Sequence, residues 1–196
     1  MIAVVDYRAG NLTSVKKALD HLCADAIITR DPDVVAQADK IILPGVGHFS
    51  ATVILAESGL RAAIQQRVEQ GVPFLGVCVG MQWMFESSAE AAGTPGLGLF
   101  AGACERFPES VKSPHVGWNS LACDPSSRLL RGIPSDSFVY FTHSYSAPVV
   151  KATVARCEYG GAFSAAVEQD NLFGVQFHPE KSGDLGLKLL QNFCSL

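Results

Sequence analysis

Val72-Pro73-Phe74-Leu75-Gly76-Val77-Cys78-Val79-Gly80-Met81-Gln82 is the stretch on which the fold turns. An apolar run ends in Gly-x-Cys-x-Gly, and a helix-compatible segment follows. Strand, tight turn, then helix is the context of a nucleophile elbow, with cysteine where a hydrolase carries serine. Gly76 and Gly80 have no side chains, so strand and helix can approach closely. A strained turn would hold Cys78 out from the sheet edge at a helix N-terminus, where the dipole favours thiolate. The Val79 N–H would then point toward a reacting carbonyl and stabilise an oxyanion. The bland alternative is a buried cysteine in a glycine-rich turn, and the motif alone leaves both open.

Outward from this stretch, apolar β-branched runs over 2–6, 26–29, 40–43 and 73–77 predict four strands. Helical patterns lie between them. Asn11 is placed to cap a helix through residue 22, with Leu12, Val15, Leu19 and Leu22 on one face. A second helix spans 59–70 and closes at Gly71. A third should follow Cys78. Strands alternating with helices predict βαβ units and a parallel sheet covered on both faces. Beyond residue 93 the pattern is extended, near 97–107, 115–122, 138–145, 153–159, 164–169 and 172–178. Asp170-Asn171 marks a hairpin turn between the last two. A final helix covers 184–193. With no linker or repeat, the economical fold is one α/β domain over 1–196. Its central sheet is mixed but mostly parallel, with helices on both faces.

The 196 residues are 48% hydrophobic and only 17% charged, with 18 glycines. Soluble domains average about 25% charged residues, so this chain is charge-poor. Its apolar content excludes intrinsic disorder. With 15 Lys+Arg against 19 Asp+Glu, a net charge of −4 argues against a nucleic-acid binder. By surface scaling, a folded monomer of this size exposes about 9,000 Å² of the roughly 30,000 Å² of its extended chain, enough burial for a full core. The longest apolar stretch, 72–85, is shorter than about 18 residues and is broken by Pro73, Gly76 and Gly80, so no membrane span is expected. The N-terminus lacks a basic region and a cleavage site, and reads as a strand rather than a signal peptide. A cytoplasmic setting follows. The six cysteines show no Cys-x-x-Cys spacing, and without an export context they should be reduced, most of them as buried small hydrophobes. Asn11-Leu12-Thr13 matches a glycosylation sequon but is better read as the helix start.

A cysteine nucleophile needs a base. His21 lies near a helix end and suits a surface or capping role. His178 ends the run Leu172-Phe173-Gly174-Val175-Gln176-Phe177. On a strand, Gln176, His178 and Glu180 would share one face, and Pro179 would hold His178 extended. Glu180 could then accept from one imidazole nitrogen while the other takes the thiol proton. His-Pro-Glu could equally be an ordinary turn. His-x-Glu also opens the zinc-deaminase signature, but that signature needs a downstream Pro-Cys-x-x-Cys. Only Cys194 follows, so no metal is expected.

The elbow and the His-Pro-Glu segment together resemble the class I (triad) glutamine amidotransferases. Further motifs are similar to one branch of that family, the glutaminase subunits of imidazole glycerol phosphate synthases. These motifs are Asp6-Tyr7 with Gly10-Asn11-Leu12; Pro44-Gly45-Val46-Gly47 with Phe49; His115-Val116-Gly117-Trp118-Asn119; Tyr140-Phe141-Thr142-His143-Ser144-Tyr145; and His178-Pro179-Glu180-Lys181-Ser182. The resemblance implies that Cys78 attacks the side-chain amide of L-glutamine to form a thioester, with His178 as acid and base and Glu180 as its orienter. It places the oxyanion between the Val79 N–H and an N–H of the Val46–Gly47 turn. Gly47, Gln82, Ser144 and Tyr145 would meet the substrate, with an ordinary strand end as the alternative for Ser144 and Tyr145. Trp83, where the family carries an aliphatic residue, and a variable surface loop over 87–96 depart from the pattern without touching a role. No cofactor is implied.

The chain has no room for a synthase domain and no phosphate-binding Gly-x-x-x-x-Gly-Lys-Ser/Thr. Ammonia must stay unprotonated to react, so its acceptor should sit on a partner chain. The resemblance names that partner as a cyclase subunit, a (βα)₈ barrel in a heterodimer that makes imidazole glycerol phosphate and the aminoimidazole carboxamide ribotide. Asn11, Trp118 and Lys181 are the candidate contacts, with a core position as the alternative for Trp118. Some of the excess apolar surface should therefore form a subunit interface around Cys78. The glutaminase of another synthase, such as the pyridoxal phosphate one, and a non-catalytic partner-binding subunit of the same fold remain as alternatives.

Overall fold

The computed structural model describes all 196 residues. Its elements in chain order are β1 (Ile2–Val5), α1 (Leu12–His21), β2 (Ala26–Thr29), α2 (Pro32–Ala36), β3 (Lys40–Gly45), α3 (Val53–Glu57), α4 (Leu60–Glu69), β4 (Phe74–Cys78) and α5 (Val79–Gln82). Then follow β5 (Phe85–Ser88), β6 (Phe100–Arg106), β7 (His115–Ser120), β8 (Ala122–Cys123), β9 (Phe138–His143), β10 (Tyr145–Ser146), β11 (Thr153–Glu158), β12 (Ala162–Gln169), β13 (Leu172–Val175) and α6 (Gly183–Cys194).

Eight strands form the main sheet in the order β2-β1-β3-β4-β13-β12-β11-β8. The first five run parallel, and β12, β11 and β8 continue antiparallel. Every residue of β1, β4 and β13 is buried, as expected of parallel strands covered on both faces. They belong to a core of 51 buried apolar residues. β2 has the same apolar sequence but lies at the sheet edge, which leaves Ile27 and Ile28 exposed. A ribbon of β7 and β9 and a three-stranded sheet of β10, β6 and β5 flank the main sheet.

Several expectations need correction. Asn11 stands at the α1 N-cap position, but its side chain makes no capping hydrogen bond. α2 and the α3 turn were not legible as helices, although Asp31 caps α2 through the Asp33 N–H and Pro32 opens it, a regular helix start. The helix after Cys78 is a single turn. The Trp83 N–H closes that turn on the Val79 carbonyl, the Met84 N–H bonds only three residues back to Met81, and the chain enters β5 at Phe85. β13 stops at Val175, short of His178. Three of the six cysteines are buried, not most of them, and all are unpaired.

Candidate active site

Cys78 sits at φ 55°, ψ −111°, a backbone region that costs a residue with a Cβ about 1–3 kcal/mol. The elbow is held there by close approach. A Cβ on Gly80 would overlap the Leu43 carbonyl oxygen, and one on Gly76 would come within 2.6 Å of the Gly80 oxygen. β3 pairs with β4 so that Gly45 lies opposite Cys78, which brings the following turn beside the thiol. Gly47 within that turn has φ 93°, open to glycine and strained for other residues. The site thus lies at the carboxyl ends of parallel strands, where open α/β sheets bind ligands.

His178 reaches Cys78 by a different route from the one expected. A strand does not carry it to Glu180. Pro179 starts a 3₁₀ turn, Pro179–Lys181, directly after the extended His178. The turn is pinned to β9: the His178 N–H donates to the Tyr140 carbonyl, the Tyr140 N–H to Ser182 Oγ, and Ser182 Oγ–H to the His178 carbonyl. It brings His178 Nδ1 to 2.9 Å from Glu180 Oε1, with both side chains only 1% exposed. The pairing inferred from strand alternation is present, made by the turn.

Burial disfavours a charged imidazole, but the Cys78 and Glu180 side chains outweigh it and raise the His178 pKa to about 9. Its Nε2 is buried and makes no hydrogen bond within the chain. The imidazole is therefore close enough to feel Cys78 while its second nitrogen stays free for a proton in transit. Cys78 has a further partner, Gln176, whose side-chain amide donates to Sγ at 3.6 Å. Because α5 is one turn long, its dipole at Cys78 is small. The Gln176 amide and the His178 imidazole stand beside Sγ instead.

Cys78 opens onto a cavity of about 120 Å³ lined by Val46, Gly47, Val79, Gln82 and Glu90 on one side. Thr142, His143, Ser144 and Tyr145 line the other. Cys78, Val79, Val46, Gly47, Gln82, Ser144 and Tyr145 are therefore together, as expected. Gln82 is buried, and its side-chain N–H₂ donates to the Tyr145 carbonyl at 2.8 Å and to Gln176 Oε1 at 3.1 Å. Glu90 is a correction. It falls in the segment 87–96 set aside as a surface loop, yet its carboxylate accepts from the Phe49 N–H at 2.7 Å and faces the cavity. A lone glutamate in a polar segment carries no local signal. Gln176 stands out in the sequence as a polar residue inside an apolar run, on the face expected for His178.

The three candidate interface residues do not converge on the cavity wall. Trp118 is 55% exposed and is not a core tryptophan. β7 and β9 pair with Trp118 opposite Tyr140 and Val116 opposite Thr142. Trp118, Val116 and Phe138 thus form an exposed apolar face that adjoins the cavity through Thr142. The Lys181 ammonium stands 5.7 Å from the Tyr140 ring on the same side. Asn11 is half-buried.

The family model described as glutamine amidotransferase class-I matches residues 3–195. The imidazole glycerol phosphate synthase subunit HisH of Methanothermobacter thermautotrophicus is 44% identical over 197 residues, covering 100% of this chain and 98% of the relative. The protein of that name from Methanocaldococcus jannaschii is 46% identical and covered in full on both sides. Among solved structures, one described as a glutamine amidotransferase superposes with a TM-score of 0.78 at 20% identity, covering both chains completely. With the elbow cysteine at the cavity, the His-Glu pair beside that cysteine and a family match along nearly the whole length, this chain belongs to the class-I glutamine amidotransferases.

Proposed function

We propose that this chain is the glutaminase subunit of an imidazole glycerol phosphate synthase, that it hydrolyses L-glutamine to glutamate, and that it passes the ammonia to a cyclase subunit. The observation that carries the chemistry is the hydrogen-bonded His178–Glu180 pair beside Cys78, whose thiol lines the cavity. The full-length identity to relatives named for that synthase favours this branch over another synthase.

Cys78 Sγ, as thiolate, adds to the side-chain amide carbon of glutamine. The carbonyl oxygen becomes an oxyanion beside the Val79 N–H and the Val46–Gly47 peptide. Its collapse breaks the C–N bond, and His178 Nε2 gives its proton to the leaving nitrogen, so ammonia departs and a glutamyl thioester remains. The now neutral His178 takes a proton from water as it adds to the thioester. A second oxyanion collapses, the C–S bond breaks, and glutamate and the thiolate–imidazolium pair are restored. Glu180 holds Nδ1 throughout, which keeps Nε2 as the nitrogen that moves protons. Glu90 supplies negative charge complementary to an α-ammonium group. The strand end at Ser144–Tyr145 supplies polar groups for the α-carboxylate.

The partner is a cyclase of the (βα)₈ class, and together the two chains form a heterodimer. Supporting this is the exposed apolar face of Val116, Trp118 and Phe138, continuous with the Cys78 mouth and flanked by Lys181. Contiguous exposed apolar residues beside a polar rim mark interaction sites. No helix is long and apolar enough to cross a membrane, and the six unpaired thiols suit a reducing cytoplasm. We regard residues 1–196 as one glutaminase domain. The test is glutamate release from glutamine, alone and with the cyclase. Cys78→Ala should abolish it, while ammonia-dependent synthesis by the cyclase survives. Glutamine-dependent turnover retained by Cys78→Ala would overturn the proposal.

A further inference from the structure

Two histidines of the β7–β9 ribbon take no part in these proton transfers. His115 and His143 lie directly opposite each other in the ribbon and face inward, both buried. The His115 ring is stacked between Phe141, at 4.9 Å, and Tyr159, at 4.0 Å. Its nitrogens are nonetheless both engaged. Nδ1 lies 3.2 Å from His143 Nε2, and Nε2 lies 3.4 Å from Asn119 Nδ2. His143 Nδ1 lies 2.8 Å from the Tyr145 carbonyl oxygen.

Both ends of this chain fix its direction. The Tyr145 carbonyl can only accept, so His143 Nδ1 carries the hydrogen and its Nε2 must accept. At the other end, Asn119 Oδ1 accepts from the Ser120 N–H at 2.8 Å, and Nδ2 also donates to the Glu158 carbonyl at 3.1 Å. The amide orientation is therefore set, and Asn119 donates to His115 Nε2. The only consistent assignment runs one way, from the Asn119 amide through His115 and His143 to the Tyr145 carbonyl. It requires both rings neutral, and burial lowers the pKa of each, that of His143 to about 3.

The carbonyl at the end of the chain is also the acceptor of the Gln82 amide. Gln82 in turn holds Gln176, and Gln176 donates to Cys78. We infer that His115 is a positioning residue for the glutamine cavity: with Asn119 it holds His143 in the tautomer that pins the Tyr145 carbonyl, and that carbonyl anchors the Gln82–Gln176 amides beside Cys78. The inference rests on the glutaminase reading. It assigns a task to the His115 imidazole that stacking does not need, since any flat ring would stack.

His115→Phe keeps the ring between Phe141 and Tyr159 but removes both nitrogens. His115→Asn loses the stacking but keeps an N–H close to the position of Nδ1. Glutamine KM, kcat and melting temperature are measured for both in the complex with the cyclase. A positioning role puts the two measurements in opposite order. His115→Phe should melt at the higher temperature yet raise KM about tenfold, the order of one buried hydrogen bond. His115→Asn should stay within about threefold of the parent KM by the same measure. Asn119→Asp, at a half-buried position, replaces the donor with an acceptor and should also raise KM, with kcat changing less. The inference is overturned if KM follows melting temperature, with His115→Asn the worse in both. It is equally overturned if all three variants keep the parent KM. Failure of the parent complex to release glutamate from glutamine at all would instead strike the glutaminase reading.

Discussion

Glu180→Gln isolates what the carboxylate does for His178. The Nδ1–H···Oε1 hydrogen bond is 2.9 Å long, between side chains that are each 1% exposed. Glutamine keeps the shape and an acceptor oxygen but removes the charge. A hydrogen bond to a charged group is worth about 1.5–3 kcal/mol. At about 1.36 kcal/mol per tenfold in rate, kcat/KM for glutamine should fall about 10- to 160-fold. The pH dependence gives a second readout. The folded pKa of His178 is raised, to about 9 from 6.5. The stability and the proton that depend on the charged ring are thus fully present below about pH 6.5 and are lost as pH rises through about 9. Removing the Glu180 charge removes one cause of the rise. The alkaline limb of the kcat/KM profile should therefore move to lower pH in Glu180→Gln, as should the alkaline loss of melting temperature. The assay is steady-state glutamate release across pH, with thermal melting of the same samples. A variant with parental kcat/KM and an unmoved alkaline limb would refute the assignment of Glu180 as the orienter.

Three other outcomes follow from the packing. Gly80→Ala drives a Cβ into the Leu43 carbonyl oxygen, a backbone overlap worth about 3 kcal/mol, so its melting temperature should drop by about 6–12 °C; an unchanged melting temperature would show that the elbow is looser than it looks. Trp118→Ala should weaken cyclase binding about 30-fold or more in a titration, as for an interface anchor. It should leave the melting temperature of the isolated subunit alone, since the side chain is already exposed. Glu168 is buried at some cost, yet the Arg128 and Ser127 side chains and the N–H groups of Leu129 and Arg128 hold its pKa below the usual value. Glu168→Ala should cost about 2–3 kcal/mol at neutral pH, and because the folded pKa is depressed, the penalty should shrink as pH falls below about 4.5; a pH-independent difference in melting would contradict this.

The parallel half of the fold was legible because burial on both faces leaves continuous apolar runs, and β1, β3 and β4 begin where those runs begin. Length was harder to read. α5 stops after four residues, and past it the Trp83 and Phe85 carbonyls pair with the N–H groups of Leu97 and Gly98, a partnership invisible in local sequence. The triad was legible in identity and less so in geometry. His178 and Glu180 are two apart, which on a strand gives one face, but Pro179 makes the chain turn, and the turn makes the contact. Glu90 and Gln176 show the limit most clearly. Each acts through a partner about 40 or 100 residues distant, the Phe49 N–H and the Cys78 thiol. The missing charge also finds its place. Much of the apolar content fills the 51-residue core; of the large apolar side chains left exposed, three share the face of Val116, Trp118 and Phe138, and others, such as Ile27 and Ile28, lie at the sheet edge.

Two histidines close to Cys78 are tuned in opposite directions, His143 in the cavity wall and His178 against the thiol. His178 is raised to about 9 by Cys78 and Glu180, while His143 is lowered to about 3 by burial. Titratable groups in one site whose environments push them apart take different tasks. A ring that is charged at neutral pH, with a free Nε2, can deliver a proton to the leaving amide nitrogen. A ring that stays neutral, with both nitrogens engaged, can hold a backbone carbonyl in place and cannot compete for that proton. Chemistry and positioning are thus assigned to separate imidazoles: burial keeps His143 low, while the Cys78 and Glu180 side chains overcome burial at His178. Changing one neighbour should shift this balance. A carboxylate in place of His115, as in His115→Glu, would draw a hydrogen bond from His143 Nε2 and raise the pKa of His143. A second imidazolium would then stand in the cavity opposite His178, lowering the pKa of His178 by like-charge repulsion. Glutamate release by His115→Glu should therefore lose its alkaline limb at lower pH than the parent, even though no residue of the triad has changed. A parental alkaline limb in that variant would show that the two rings are not electrostatically coupled.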